Sequence, residues 1–146
     1  MQATTKQKIL SIVIVVFICA LFLRIFVIEG FVVSGDSMEP TIHSGEFVFI
    51  NKVAYWWTEP AHGDIVVVIP RIYPNKILKR VIGLPGERLN GTTTSAIVLD
   101  PKEYYVMGDN RNVSIDSREL GPIDKWSIKG KVIGALNLIS LKYVGF

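Results

Sequence analysis

The chain has 146 residues, 49% of them hydrophobic, with 16 basic and 13 acidic side chains and a mean hydropathy of +0.37. One domain of ordinary size fits this length and two do not. An aromatic share of 10% argues against disorder, and so positive a hydropathy is unusual for a soluble domain, so the apolar excess must be concentrated somewhere.

It lies at the N-terminus. From Ile9 to Leu23 the only ionisable side chain is Cys19, and after Arg24 the apolar run continues to Ile28. A span over residues 9–28 is about twenty residues long, enough to cross a bilayer. Arg24 can snorkel its guanidinium to the headgroups from near the end of the span. Lys6 and Lys8 precede the run, whereas Glu29, Asp36, Glu39 and Glu46 follow it before Lys52. The positive-inside rule therefore puts residues 1–8 in the cytoplasm and residues 31–146 outside it. No A-x-A site follows the run, so an uncleaved anchor is expected rather than a removable leader. Ile18 is too bulky for a lipoprotein cleavage site before Cys19, and one cysteine forms no internal disulfide.

Setting aside Lys6, Lys8, Arg24 and Glu29 leaves 13 basic against 12 acidic residues. This nearly neutral remainder has no basic stripe, and nucleic acid is not an expected partner.

From Phe31 onward, short β-type runs alternate with Gly, Pro, Asn and Asp punctuation. Strands are expected at 31–33, 46–50, 64–69, 76–82, 104–107 and 130–134. The Thr92 to Ser95 stretch reads as a hairpin loop. The apolar segment from Val132 to Val144 is too short and too polar at Asn137 and Lys142 for a second span, and reads as a buried strand or a membrane-resting edge. The fold class is mainly β: one N-terminal transmembrane helix followed by a compact, barrel-like sheet domain.

Three loops carry chemically useful residues. In Ser34-Gly35-Asp36-Ser37-Met38-Glu39-Pro40-Thr41, Gly35 permits a tight turn and Ser37 is placed as a nucleophile or as an ordinary turn serine. In the run from Lys79 to Glu87, Lys79 is embedded in aliphatic sequence. Facing inward, it would lose its charge readily and act as a base; on an edge it would be a solvated lysine. Periodicity leaves both readings open. In the loop from Gly108 to Arg118, Asp116 can pair with Arg118, and Asp109 with Arg80, to hold neighbouring loops in place. The alternative is a solvated turn with surface ion pairs.

Ser-Met-x-Pro-Thr, Lys-Arg-Val-x-Gly-x-Pro-Gly and Gly-Asp-Asn-Arg followed by Ser-x-Asp-Ser-Arg occur here in one order. In this the chain resembles the bacterial type I signal peptidases, from the anchor through Gly63-Asp64-Ile65-Val66-Val67 to about Gly134. The resemblance implies a membrane-anchored serine endopeptidase that removes signal peptides from exported preproteins with a Ser-Lys dyad. Ser37 matches the family nucleophile, Lys79 its general base and Ser114 the serine that orients the lysine. Asp109, Asp116, Arg118 and Arg80 match the supporting network. The oxyanion region comprises the Ser37 N–H and Gly35, where some members carry a serine; glycine there looks like the Gram-positive branch. Phe31, Val33, Met38, Ile42 and Leu78 match positions of the small-residue substrate pockets, and as apolar residues fit a core equally well.

Only 16 residues separate Glu87 from Tyr104, where larger members carry extra strands, so a minimal catalytic core is expected. No metal or cofactor is expected. Besides preproteins, the expected partners are the lipid bilayer and the protein translocation machinery. The Tyr55-Trp56-Trp57 trio suits a lipid interface or simple packing. Two rival functions remain: a self-cleaving Ser-Lys protease, disfavoured by the anchor, and a non-catalytic membrane-anchored binding or assembly module, disfavoured by the presence of both Ser37 and Lys79.

Overall fold

The computed structural model describes residues 4–90 and 96–146, so the expected Thr92 to Ser95 loop lies outside the described residues. Helix α1 spans Thr5–Phe22 and continues as one π-helical stretch through Leu23–Val27. It is long and apolar enough to cross a membrane, and none of its residues is buried in the protein. The helical segment is shifted relative to the expected span. It takes in Lys6 and Lys8, and Ile28 is the first residue of a strand. That strand, β1 (Ile28–Val32), is captured by antiparallel pairing with β2 (Phe47–Asn51), and the Lys52 N–H caps the junction by donating to the Val27 carbonyl at 2.9 Å.

The remaining strands are β3 (Ile65–Val68), β4 (Ile77–Gly83), the short β5 (Arg88–Leu89) and β6 (Ile97–Val98), β7 (Glu103–Met107), β8 (Ile123–Asp124), β9 (Ile128–Asn137) and β10 (Lys142–Gly145). A single helical turn, α2 (Ser117–Leu120), follows the third loop. Eight strands form one antiparallel sheet in the order β1-β2-β9-β3-β4-β7-β8, with β10 added to β9, while β5 and β6 make a separate hairpin. Register shifts at Phe49/Ile50, Val67/Val68 and Val81/Gly83 bend the strands. The result is a curled half-barrel whose end strands, β1 and β8, remain unpaired with each other.

Both faces of the middle of this sheet are covered. Alternate residues of β3 go to different clusters: Ile65 and Val67 pack with Val33, Met38, Ile42, Val48, Leu78 and Val132, while Val66 and Val68 pack with Val81, Tyr104, Val106 and Ile123. This explains why the stretch from Ile65 to Ile69 reads as an unbroken apolar run rather than an alternating one. Each valine so buried contributes about 1.5–3 kcal/mol. The Val132 to Val144 segment is not one strand. Asn137 accepts the N–H groups of Ile139 and Ser140 at 3.1 and 3.0 Å, turning the chain so that β10 folds back on β9 as an exposed outer strand.

Candidate active site

The first loop leaves β1 at Val33 and turns back to β2. Gly35, at φ +100°, provides a left-handed bend that other residues adopt only with strain, and donates its N–H to Ser44 Oγ at 3.2 Å. Met38 and Ile42 anchor the loop in the core, and Ser37, between the bend and Met38, is half-buried. The Ser37 N–H makes no hydrogen bond among the described residues and is an available donor. Its carbonyl accepts the Asn110 N–H at 3.0 Å, tying the first loop to the third.

Lys79 lies in β4 opposite Val66 of β3 and is 2% exposed. The two-sided burial of β4 brings it inside, so the ammonium has little water to solvate it. Its Nζ donates to Ser37 Oγ at 3.0 Å. Burial lowers its pKa from 10.5 to about 8, against the pull of Asp116 and Asp109, which favour the charged form. A neutral amine within hydrogen-bond reach of a hydroxyl is the pairing that general-base activation of serine requires.

The next residue, Arg80, grips Asp109 with two bonds, Nε to Oδ1 at 2.8 Å and Nη2 to Oδ2 at 2.6 Å, and donates from Nη1 to the Gly63 carbonyl at 2.8 Å. Thr41 Oγ1 donates to the same carboxylate at 2.6 Å. Desolvation alone would raise the Asp109 carboxyl, but these bonds hold it below its ordinary range. One carboxylate thus connects the nucleophile loop, β4 and the third loop. Thr41 is a member of this network that sequence reasoning did not single out, although it closes the Ser-Met-x-Pro-Thr motif.

A second fork fixes the third loop. Asp116 is fully buried, accepts from Arg118 Nε and Nη2 at 2.9 and 3.0 Å, and takes the Gly108 N–H at 3.0 Å. Burial would raise this carboxyl too, and the Arg118 and Gly108 bonds outweigh it. The Ser114 hydroxyl lies near enough to Asp116 to assist, yet lacks hydrogen-bond geometry, and its buried oxygen has no partner among the described residues. No bond joins it to Lys79 in this structure. Gly108 lets these parts approach closely: a Cβ there would lie 2.2 Å from Ser114 Oγ and 2.5 Å from the Ser37 carbonyl oxygen.

A cavity of about 220 Å³ opens beside the Ser37–Lys79 pair. Phe31, Val33, Met38 and Leu78 line it, together with Val32, Ser34, Lys76 and Ile77, which sequence reasoning left out. Ile42 does not line it and is wholly buried in the adjoining core. Tyr55 is half-buried and bonds Asp64 at 2.9 Å, whereas Trp56 and Trp57 are exposed.

The family model described as signal peptidase, peptidase S26, matches residues 6–98 and 89–136. A signal peptidase I of Bacillus licheniformis is 33% identical over 81% of this chain and 81% of its own length. A probable signal peptidase I-1 of Synechocystis is 32% identical over 85% of this chain and 79% of its own length. A crystal structure of an Enterococcus faecalis signal peptidase I aligns with 51% of this chain and 97% of that one, at 23% identity and a TM-score of 0.43.

Proposed function

The chain belongs to the signal peptidase family of serine endopeptidases, peptidase S26, and from that premise we propose that it cleaves signal peptides from exported preproteins with Ser37 as nucleophile and Lys79 as general base. The observation that carries the dyad is the 3.0 Å contact between a 2% exposed lysine and a half-buried serine. In this reaction Ser37 Oγ attacks the scissile carbonyl carbon while its proton passes to neutral Lys79. The oxyanion accepts from the Ser37 N–H, and Lys79 returns the proton to the leaving amine. Lys79 then takes a proton from water as the water oxygen attacks the Ser37 ester, and gives it to Ser37 Oγ as the acyl–oxygen bond breaks, restoring the neutral amine and the hydroxyl. The Arg80–Asp109 and Asp116–Arg118 forks hold the two loops in register during these steps. Ser114, buried beside them, is the residue we assign to orienting Lys79.

The substrate runs as an extended strand between two edges. The outer edge of β1 has no strand partner among the described residues, and β7 pairs with β4 only from Arg80 onward, leaving the outer edge of Ile77 to Lys79 open. Phe31, Val33, Met38 and Leu78 narrow the space between them, which favours alanine-sized residues at the first and third positions before the cut. The apolar helix anchors the protein once through the cell membrane with its N-terminus in the cytoplasm. Residues 31–146, the expected catalytic domain, together with Ile28 to Gly30 of β1, then lie outside, beside the lipid surface and the translocation machinery that delivers preproteins.

A preprotein carrying Ala-x-Ala before its cut site tests this reading with the detergent-solubilised chain. Cleavage should be lost on replacing either alanine with phenylalanine. Equal cutting of the phenylalanine variants would refute the pocket assignment.

A further inference from the structure

Glu29, Phe31 and Val33 alternate along β1 and the residue after it, and Lys76, the residue before β4, precedes Leu78 by two, so the apolar groove lining ends in a charged layer. Glu29 accepts from Lys76 across the groove, and its other oxygen lies 3.9 Å from Lys52 Nζ. β1 and β4 do not pair with each other, so this ion pair links the two open edges at the end nearest the anchor helix. Lys76 also lines the cavity beside Ser37 and Lys79.

We infer that the Glu29–Lys76 pair selects substrates by charge at the fourth and fifth residues before the cut. This rests on the proposed protease reading. A signal peptide's own apolar stretch occupies the same bilayer as the anchor, so its chain enters past Glu29 and runs toward Ser37. Lys76 precedes Lys79 by three residues, about 10 Å of extended chain. With the first residue before the cut at the dyad, the fourth or fifth reaches the pair. Of the pair, Lys76 lines the cavity and Glu29 does not, so the charge an entering chain meets there is positive. The groups are partly exposed, at 36%, 43% and 35% for Glu29, Lys76 and Lys52, so the link opens easily for an entering chain and acts by charge rather than by blocking. An acidic residue there is favoured and a basic one disfavoured.

The test is a panel of one preprotein with Glu, Gln or Lys at the fourth and fifth positions, cut by wild type, Lys76→Glu and Lys76→Met in detergent. Each kcat/KM is divided by that of the Gln preprotein for the same protein, so a general loss of activity cancels. Wild type is expected to prefer Glu over Lys by about two- to five-fold, fading at high salt. Lys76→Glu should reverse the order and Lys76→Met should weaken it. An unchanged order in Lys76→Glu, or no charge dependence in wild type, overturns the inference while leaving the protease reading standing. If the Gln preprotein is cut no better by wild type than by Ser37→Ala, the protease reading itself fails, and the charge selection with it.

Discussion

Raising the pH should switch on Lys79. Burial brings its pKa down to about 8. At that value about one Lys79 in a hundred is neutral at pH 6, about one in ten at pH 7 and about nine in ten at pH 9. An ordinary lysine would be neutral in fewer than about one molecule in a thousand at pH 7. The kcat/KM for a preprotein should therefore climb about ten-fold per pH unit on the acid side and level off above pH 8. The sign can be checked independently. Asp116 attracts the ammonium and raises the lysine pKa, so Asp116→Asn should move the rising limb to lower pH, along with any loss from the broken Arg118 fork. The assay is initial-rate cleavage by detergent-solubilised protein from about pH 6 to about pH 10. A flat profile, a limb centred near that of a free lysine, or an alkaline shift in Asp116→Asn would refute the reasoning.

The same burial has a cost in stability. The gap between 10.5 and about 8 corresponds to about 3 kcal/mol, present in full below pH 8 and relieved as pH rises toward 10.5. Lys79→Met should therefore unfold at higher urea than wild type at pH 7, by up to about 3 kcal/mol, and lose the advantage above pH 10.5; a less stable variant at pH 7 would contradict this. Gly108→Ala should lose activity and about 1–3 kcal/mol of stability, seen as a lower Tm, because its Cβ has no room beside Ser114 and the Ser37 carbonyl. In vesicles containing brominated lipid, Trp56 and Trp57 emission should be quenched if this exposed pair sits at the interface. A Trp56→Phe, Trp57→Phe protein that is quenched as strongly as wild type would place them elsewhere.

Much of the fold was legible because its signals are local. The apolar run without charge gives the helix, and Gly and Pro punctuation separates six of the strands to within a few residues. The end of the helix was not, because Ile28 is as apolar as the residues before it. Its strand conformation comes from pairing with Asn51, a contact 23 residues away in sequence. Lys79 shows the same limit at the site. Period two assigns it a face, but whether that face is dry depends on clusters that pack on both sides of β4. The polar forks were foreseeable as pairings of opposite charge. The role of Thr41 was not, since its partner Asp109 lies 68 residues further along the chain. Lys76 and Glu29 escaped notice for a related reason: each looks like an ordinary surface charge until the sheet brings two strand edges face to face.

The central claim is that Ser37 attacks and Lys79 takes its proton. The most direct measurement is mass spectrometry of products from one Ala-x-Ala preprotein incubated separately with wild type, Ser37→Ala and Lys79→Ala. The account predicts a single new N-terminus immediately after the second alanine with wild type, and no product above background with either variant. The same product at comparable rates from Ser37→Ala or Lys79→Ala would contradict it.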